Sequence, residues 1–98
     1  MYIKIHKSYR NVVALCDTEL IGKTFEEGKR QLYCRENFYK GEKVIKEKAI
    51  KILRQQTNED ATFNIVGKKS IQAAIEAGLI KKANIARIQN IPFTLILL

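Results

Sequence analysis

The 98-residue chain carries 18 Lys and Arg against 10 Asp and Glu, a formal charge of +8, and 46% of it is hydrophobic. That suits one domain, residues 1–98, with a small core, and excludes a disordered tail or linker. With one histidine and two cysteines lacking CxxC spacing, neither a metal centre nor a disulfide framework is expected, and no cofactor.

Along the chain, residues 2–6 alternate: Tyr2, Lys4 and His6 point one way, Ile3 and Ile5 the other. This predicts a half-buried strand. No basic stretch with an apolar run behind it opens the chain, so no secretory leader is expected. No 18-residue apolar run exists, so no transmembrane helix and no membrane partner are expected. The protein is then expected in the cytoplasm, with its thiols reduced. A bridge between Cys16 and Cys34 is left open by their spacing.

Val12-Val13-Ala14-Leu15-Cys16 is a continuous apolar run, predicted as a central strand in a hairpin with the first. Asp17 is suited to cap a short helical turn after it. Gly22 is suited to end that turn, because glycine takes positive φ without a Cβ clash. Phe25 is expected in the core, residues 26–29 in a turn and residues 31–34 in a strand. Residues 35–41 read as a loop holding Phe38 and Tyr39.

Residues 44–56 have helical periodicity, with Ile45, Ala49, Ile52 and Leu53 on one stripe. A short extended piece at residues 62–65 precedes a second helix over 66–77. Ile71, Ala74 and Ile75 line its inner face, and Gly78 follows as its C-terminal stop. Residues 84–89 and 93–98 are predicted strands around a turn at Asn90-Ile91-Pro92. Strands early and late with two helices between predict an α+β two-layer sandwich, a mostly antiparallel sheet with two helices on one face.

Four blocks make the chain look familiar: Cys16-Asp17-x-Glu19-Leu20-x-Gly22-Lys23-Thr24-Phe25, Phe38-Tyr39-x-Gly41, Asn64-Ile65-Val66-Gly67 and Ala74-Ile75-Glu76-Ala77-Gly78-Leu79. They resemble the archaeal domain-of-unknown-function 424 family, and the segment from Arg87 to Pro92 resembles its C-terminal hairpin. The resemblance implies a small two-layer α/β sandwich from an archaeon; the residues themselves place Asp17, Gly22, Gly67 and Gly78 at structural turns. It implies no established activity, assigns no functional residue, and points towards translation or RNA binding.

Gly22-Lys23-Thr24 ends like a phosphate-binding P-loop, but such a loop needs a glycine where Asp17 stands and a helix after the threonine. A capped turn fits better. Cys16 before a helical turn, near His6 and Asp17, has some elements of an activated thiol. A buried apolar side chain is the commoner role for a free cysteine. His6 with Asp17 and Glu19 makes only a weak nitrogen–oxygen metal set.

The cations are more informative. Lys43, Lys46, Lys51 and Arg54 form a basic face on the first long helix, diluted by Glu47 at i,i+4 from Lys43 and Lys51. Lys68 and Lys69, with Lys81 and Lys82, make a second cluster; Lys4, Lys7 and Arg10 make a third. Clustered cations are all that phosphate contacts require. Tyr39 is expected to be an exposed ring beside them for base stacking, and Phe38 to pin the loop to the core. The expected role is a non-enzymatic RNA-binding or translation- and ribosome-associated protein. Its contacts would come from Lys43, Lys46, Lys51 and Arg54, and from Lys68, Lys69 and Tyr39. Two other roles stay open: an interaction module or homodimer through the apolar residues 93–98, and a small thiol enzyme centred on Cys16.

Overall fold

The computed structural model describes residues 1–97. Strands β1 (Tyr2–His6) and β2 (Val12–Cys16) form the expected antiparallel hairpin. A single 3-10 turn (Thr18–Leu20) leads to a second hairpin, β3 (Thr24–Glu27) and β4 (Arg30–Tyr33), and then to a short helix α1 (Glu36–Tyr39). A two-residue strand β5 (Glu42–Lys43) precedes helix α2 (Lys46–Asn58), strand β6 (Thr62–Val66) and helix α3 (Lys68–Glu76). The chain closes with β7 (Ala86–Ile88) and β8 (Ile91–Ile96).

The main sheet runs β5-β1-β2-β6-β8-β7, antiparallel throughout except where β6 lies parallel to β2. The run from Val13 to Cys16 has no exposure because β2 is central and covered on both faces. On one face, alternate residues Val13, Leu15, Phe63 and Ile65 meet Ala49 and Leu53 of α2 and Ile71, Ala73 and Ala74 of α3. Full burial contributes about 1.5–3 kcal/mol for each large apolar side chain in this layer. The opposite face, which the sequence left to solvent or an interface, is covered at one end. There Ala14, Cys16 and Val66 pack with Leu20, Cys34 and Tyr39, flanked by Phe25 and Leu32 of the β3–β4 hairpin. No helix among the described residues is long and apolar enough to cross a membrane.

Several local expectations shift. Helix α2 starts two residues later than predicted, so Ile45 is its N-cap, with extended backbone (φ −81°, ψ 165°), and turns out of the apolar stripe to 68% exposure. Val44 is buried in its place. Residues 35–41 contain α1 rather than loop alone, and it reverses the two aromatics: Tyr39 is buried at 7% exposure, while Phe38 is half-buried. Tyr39 therefore offers no free ring for stacking. The turn near residue 90 is tighter than expected: Gln89 and Asn90 both take positive φ, the two-residue form that suits a hairpin, and Pro92 falls inside β8. Leu98, the last residue of the expected final strand, lies outside the described residues.

Helix α3 ends as expected at Gly78. Leu79 N–H donates to Ala74 O and Gly78 N–H to Ile75 O, both at 3.0 Å, the paired pattern of a helix stop in which the first residue beyond the cap has positive φ.

Candidate nucleic-acid interface

Strands β2 and β6 end side by side, and there the chain divides. After Cys16 it passes to the hairpin on one face; after Val66 it passes to α3 on the other. Adjacent parallel strands whose continuations leave on opposite faces open a crevice at their carboxyl ends.

Asp17 occupies the base of that crevice. Its backbone N–H donates to Val66 O at 3.1 Å. Its carboxylate accepts from Lys69 N–H at 3.1 Å, from Ser70 N–H at 2.8 Å and from the Ser70 hydroxyl at 2.7 Å. Asp17 makes no side-chain cap on its own turn, contrary to expectation; it caps α3, more than 50 positions away. The physical reason is that α3 begins at Gly67, which has no side chain to do it, and a carboxylate is favoured at a helix N-terminus. Gly67 is required twice over: its φ is +108°, and a Cβ there would overlap the Asp17 carboxylate. The start of α3 is thus already satisfied by a carboxylate, which leaves side chains, not the helix N-terminus, as the groups open to an anion here.

Those side chains line an open groove of about 950 Å³ just outside the crevice. It lies between the first turns of α2 and α3, lined by Lys43, Val44, Ile45 and Lys46 on the α2 side, by Lys68 and Lys69 on the α3 side, and by Met1. The groove thus gathers four of the six predicted cations from two separate clusters. Thr18, next to Asp17, also lines it. Lys46 pairs with Glu76 at 3.1 Å. The ammonium groups of Lys43, Lys68 and Lys69 have no ion pair or hydrogen bond among the described residues. The one acidic side chain among the lining residues is Glu47. Glu76 is held below the usual carboxylate range by hydrogen bonds from Gln72 and Lys46, so it stays ionised as the Lys46 partner.

Other predicted residues lie elsewhere. Arg54 donates to Glu76 O at 3.1 Å, at the far end of α3, and borders a separate hollow of about 370 Å³ with Gly78 and Leu79. Lys51 is exposed on α2 but does not line the groove. Lys4 donates to Asn37 O at 2.7 Å, on the opposite face of the sheet. His6 stacks on Phe38, with centroids 4.7 Å apart, and contacts Phe38 O at 2.8 Å.

The thiols are free and fully buried. Hydrogen bonding to Cys34, burial and the nearby carboxylates push the Cys16 thiol well above its ordinary range. Burial beside the two sulfurs likewise pushes the Tyr39 phenol up. A sulfur held protonated and closed to solvent is a poor nucleophile. Among the described residues no cluster of three or more His, Cys, Asp or Glu side chains is arranged to hold a metal.

Fold and groove together define a small basic α+β domain with a lysine-walled cleft at the carboxyl ends of two parallel strands. The chain belongs to the family described as "Protein of unknown function (DUF424)", whose model matches residues 6–98. Among solved structures it resembles an uncharacterized conserved protein from Methanopyrus kandleri, at a TM-score of 0.87 and 26% sequence identity, over 97% of this chain and 88% of that one. No curated protein matches the chain.

Proposed function

We propose that this is a cytoplasmic, non-enzymatic RNA-binding protein associated with translation, which holds RNA by its phosphates in the groove between α2 and α3. The observation that carries the reading is the convergence of Lys43, Lys46, Lys68 and Lys69, three of them with no partner among the described residues. An unpaired ammonium meets a phosphate without breaking an existing bond, and the charge of +8 steers polyanions towards it. The groups suited to chemistry are engaged: Asp17 by α3, and Cys16 by burial. Two free thiols fit a reducing compartment. Lys51 and Arg54 add to the field from outside the groove.

The test is binding of a fluorescein-labelled single-stranded RNA, followed by anisotropy as salt is raised. The Lys68→Ala/Lys69→Ala variant is expected to make the slope of log affinity against log salt shallower by about 1.4, at about 0.7 per phosphate contact. Lys51→Ala is expected to change it less. A chain that binds no RNA at low salt refutes the proposal.

A second reading has its own observation. Leu95 and Leu97 are 57% and 71% exposed, and β7 pairs with β8 only over residues 91–93. No described strand covers the outer side of residues 94–96, which suits edge pairing in a homodimer. Light scattering at micromolar concentration is then expected to show a dimer, and Leu95→Lys a monomer.

A further inference from the structure

Ile45 is 68% exposed, and it lines the groove in the same segment as Lys43 and Lys46. Half-buried Met1 lines the same groove, so Ile45 and the Met1 side chain make an apolar strip among the lysines, while the Met1 α-ammonium, which donates to Val44 O at 3.2 Å, adds a further cation. Phosphate binding alone gives no reason for that strip, because an aliphatic surface adds nothing to a contact with an anion.

We propose that the groove seats one unstacked nucleotide of a single-stranded RNA, its base laid over Ile45 and Met1 and its flanking phosphates on Lys43, Lys68 and Lys69. This rests on the phosphate-binding reading above and adds what is recognised. A nucleotide has the two chemistries the groove offers, a flat apolar face and an anionic backbone on either side. The volume of about 950 Å³ lies within the range of roughly 300–1,000 Å³ typical of small-ligand sites, enough for one nucleotide. A duplex cannot use the strip, since its base faces are stacked inside and only phosphates, sugars and base edges reach the protein. An extruded base is commonly held against apolar side chains. The lysines then supply affinity, and Ile45 supplies preference for single strands.

The experiment compares a labelled 12-nucleotide RNA, single-stranded and as a perfect duplex, by anisotropy against wild type, Ile45→Ala and Ile45→Phe. Because Ile45 lies at the surface, all three are expected to share one unfolding midpoint. Ile45→Ala is expected to weaken single-strand binding about fivefold, below the loss of an aromatic base platform, with the salt slope and duplex binding unchanged. Ile45→Phe is expected to tighten single-strand binding. If both RNAs bind equally and Ile45→Ala is silent, phosphate binding stands and the base seat is overturned. If neither RNA binds at low salt, both readings fall. If poly-glutamate of equal charge competes as well as the single strand, the groove is a site for acidic peptides and the nucleotide proposal is overturned.

Discussion

Replacing Asp17 by Ala isolates the contact on which the crevice is built. The side chain is 2% exposed and accepts three hydrogen bonds, two from backbone N–H groups of α3 and one from the Ser70 hydroxyl. Ser70 is fully buried, so water cannot readily replace the lost acceptor. Leaving a buried donor unpaired costs about 1–3 kcal/mol, and losing a helix cap about 1 kcal/mol. Since these overlap, Asp17→Ala is expected to lower the unfolding free energy by about 3 kcal/mol, a large part of the 5–15 kcal/mol typical of small domains. Ser70→Ala removes only one donor and is expected to cost about 1 kcal/mol, with a coupling to Asp17→Ala of similar size. Urea unfolding followed by circular dichroism measures all four chains of that cycle. An Asp17→Ala protein within about 0.5 kcal/mol of wild type would refute the assignment, because ordinary surface changes fall in that range.

Three further outcomes are expected. Gly67→Ala should destabilise the protein by more than about 3 kcal/mol, from strain and overlap with Asp17, whereas Gly28→Ala, in open space at φ +62°, should cost only about 1 kcal/mol; thermal melts compare them. Native protein should resist a thiol reagent that labels the urea-unfolded chain at two sites. Glu47→Gln removes the one acidic lining side chain and should tighten RNA binding at low salt, with the gain fading as salt is added.

The hairpin of β1 and β2 is legible in sequence because period-2 alternation and a solid apolar run each point to one burial pattern. The stop at Gly78 is legible because a local backbone rule governs it. The role of Asp17 is hidden for the opposite reason. Local rules send a carboxylate to the nearest helical N–H groups, but folding brings it the start of α3, which has no capping side chain. Ile45 is misplaced by periodicity because the helical angle does not apply at a cap whose backbone is extended. Phe38 and Tyr39 are neighbours on one turn, and only the docking of α1 on the sheet decides which is buried. The groove falls between these cases. Its lysines are visible one cluster at a time, but Lys43 meets Lys68 only because α2 and α3 both start at the same end of the sheet.

The single parallel pairing has a consequence for the order of assembly. Val12 and Thr62, partners in that ladder, are 50 positions apart, whereas the β1–β2 hairpin closes over a five-residue connection. Loop-closure entropy favours the short connection, so the hairpin can nucleate early while β2 and β6 join late, with Asp17 able to reach α3 only then. Substitutions at Phe63 or Ile65 should therefore speed unfolding more than they slow refolding in stopped-flow chevrons, and those at Ile3 or Val13 should show the reverse.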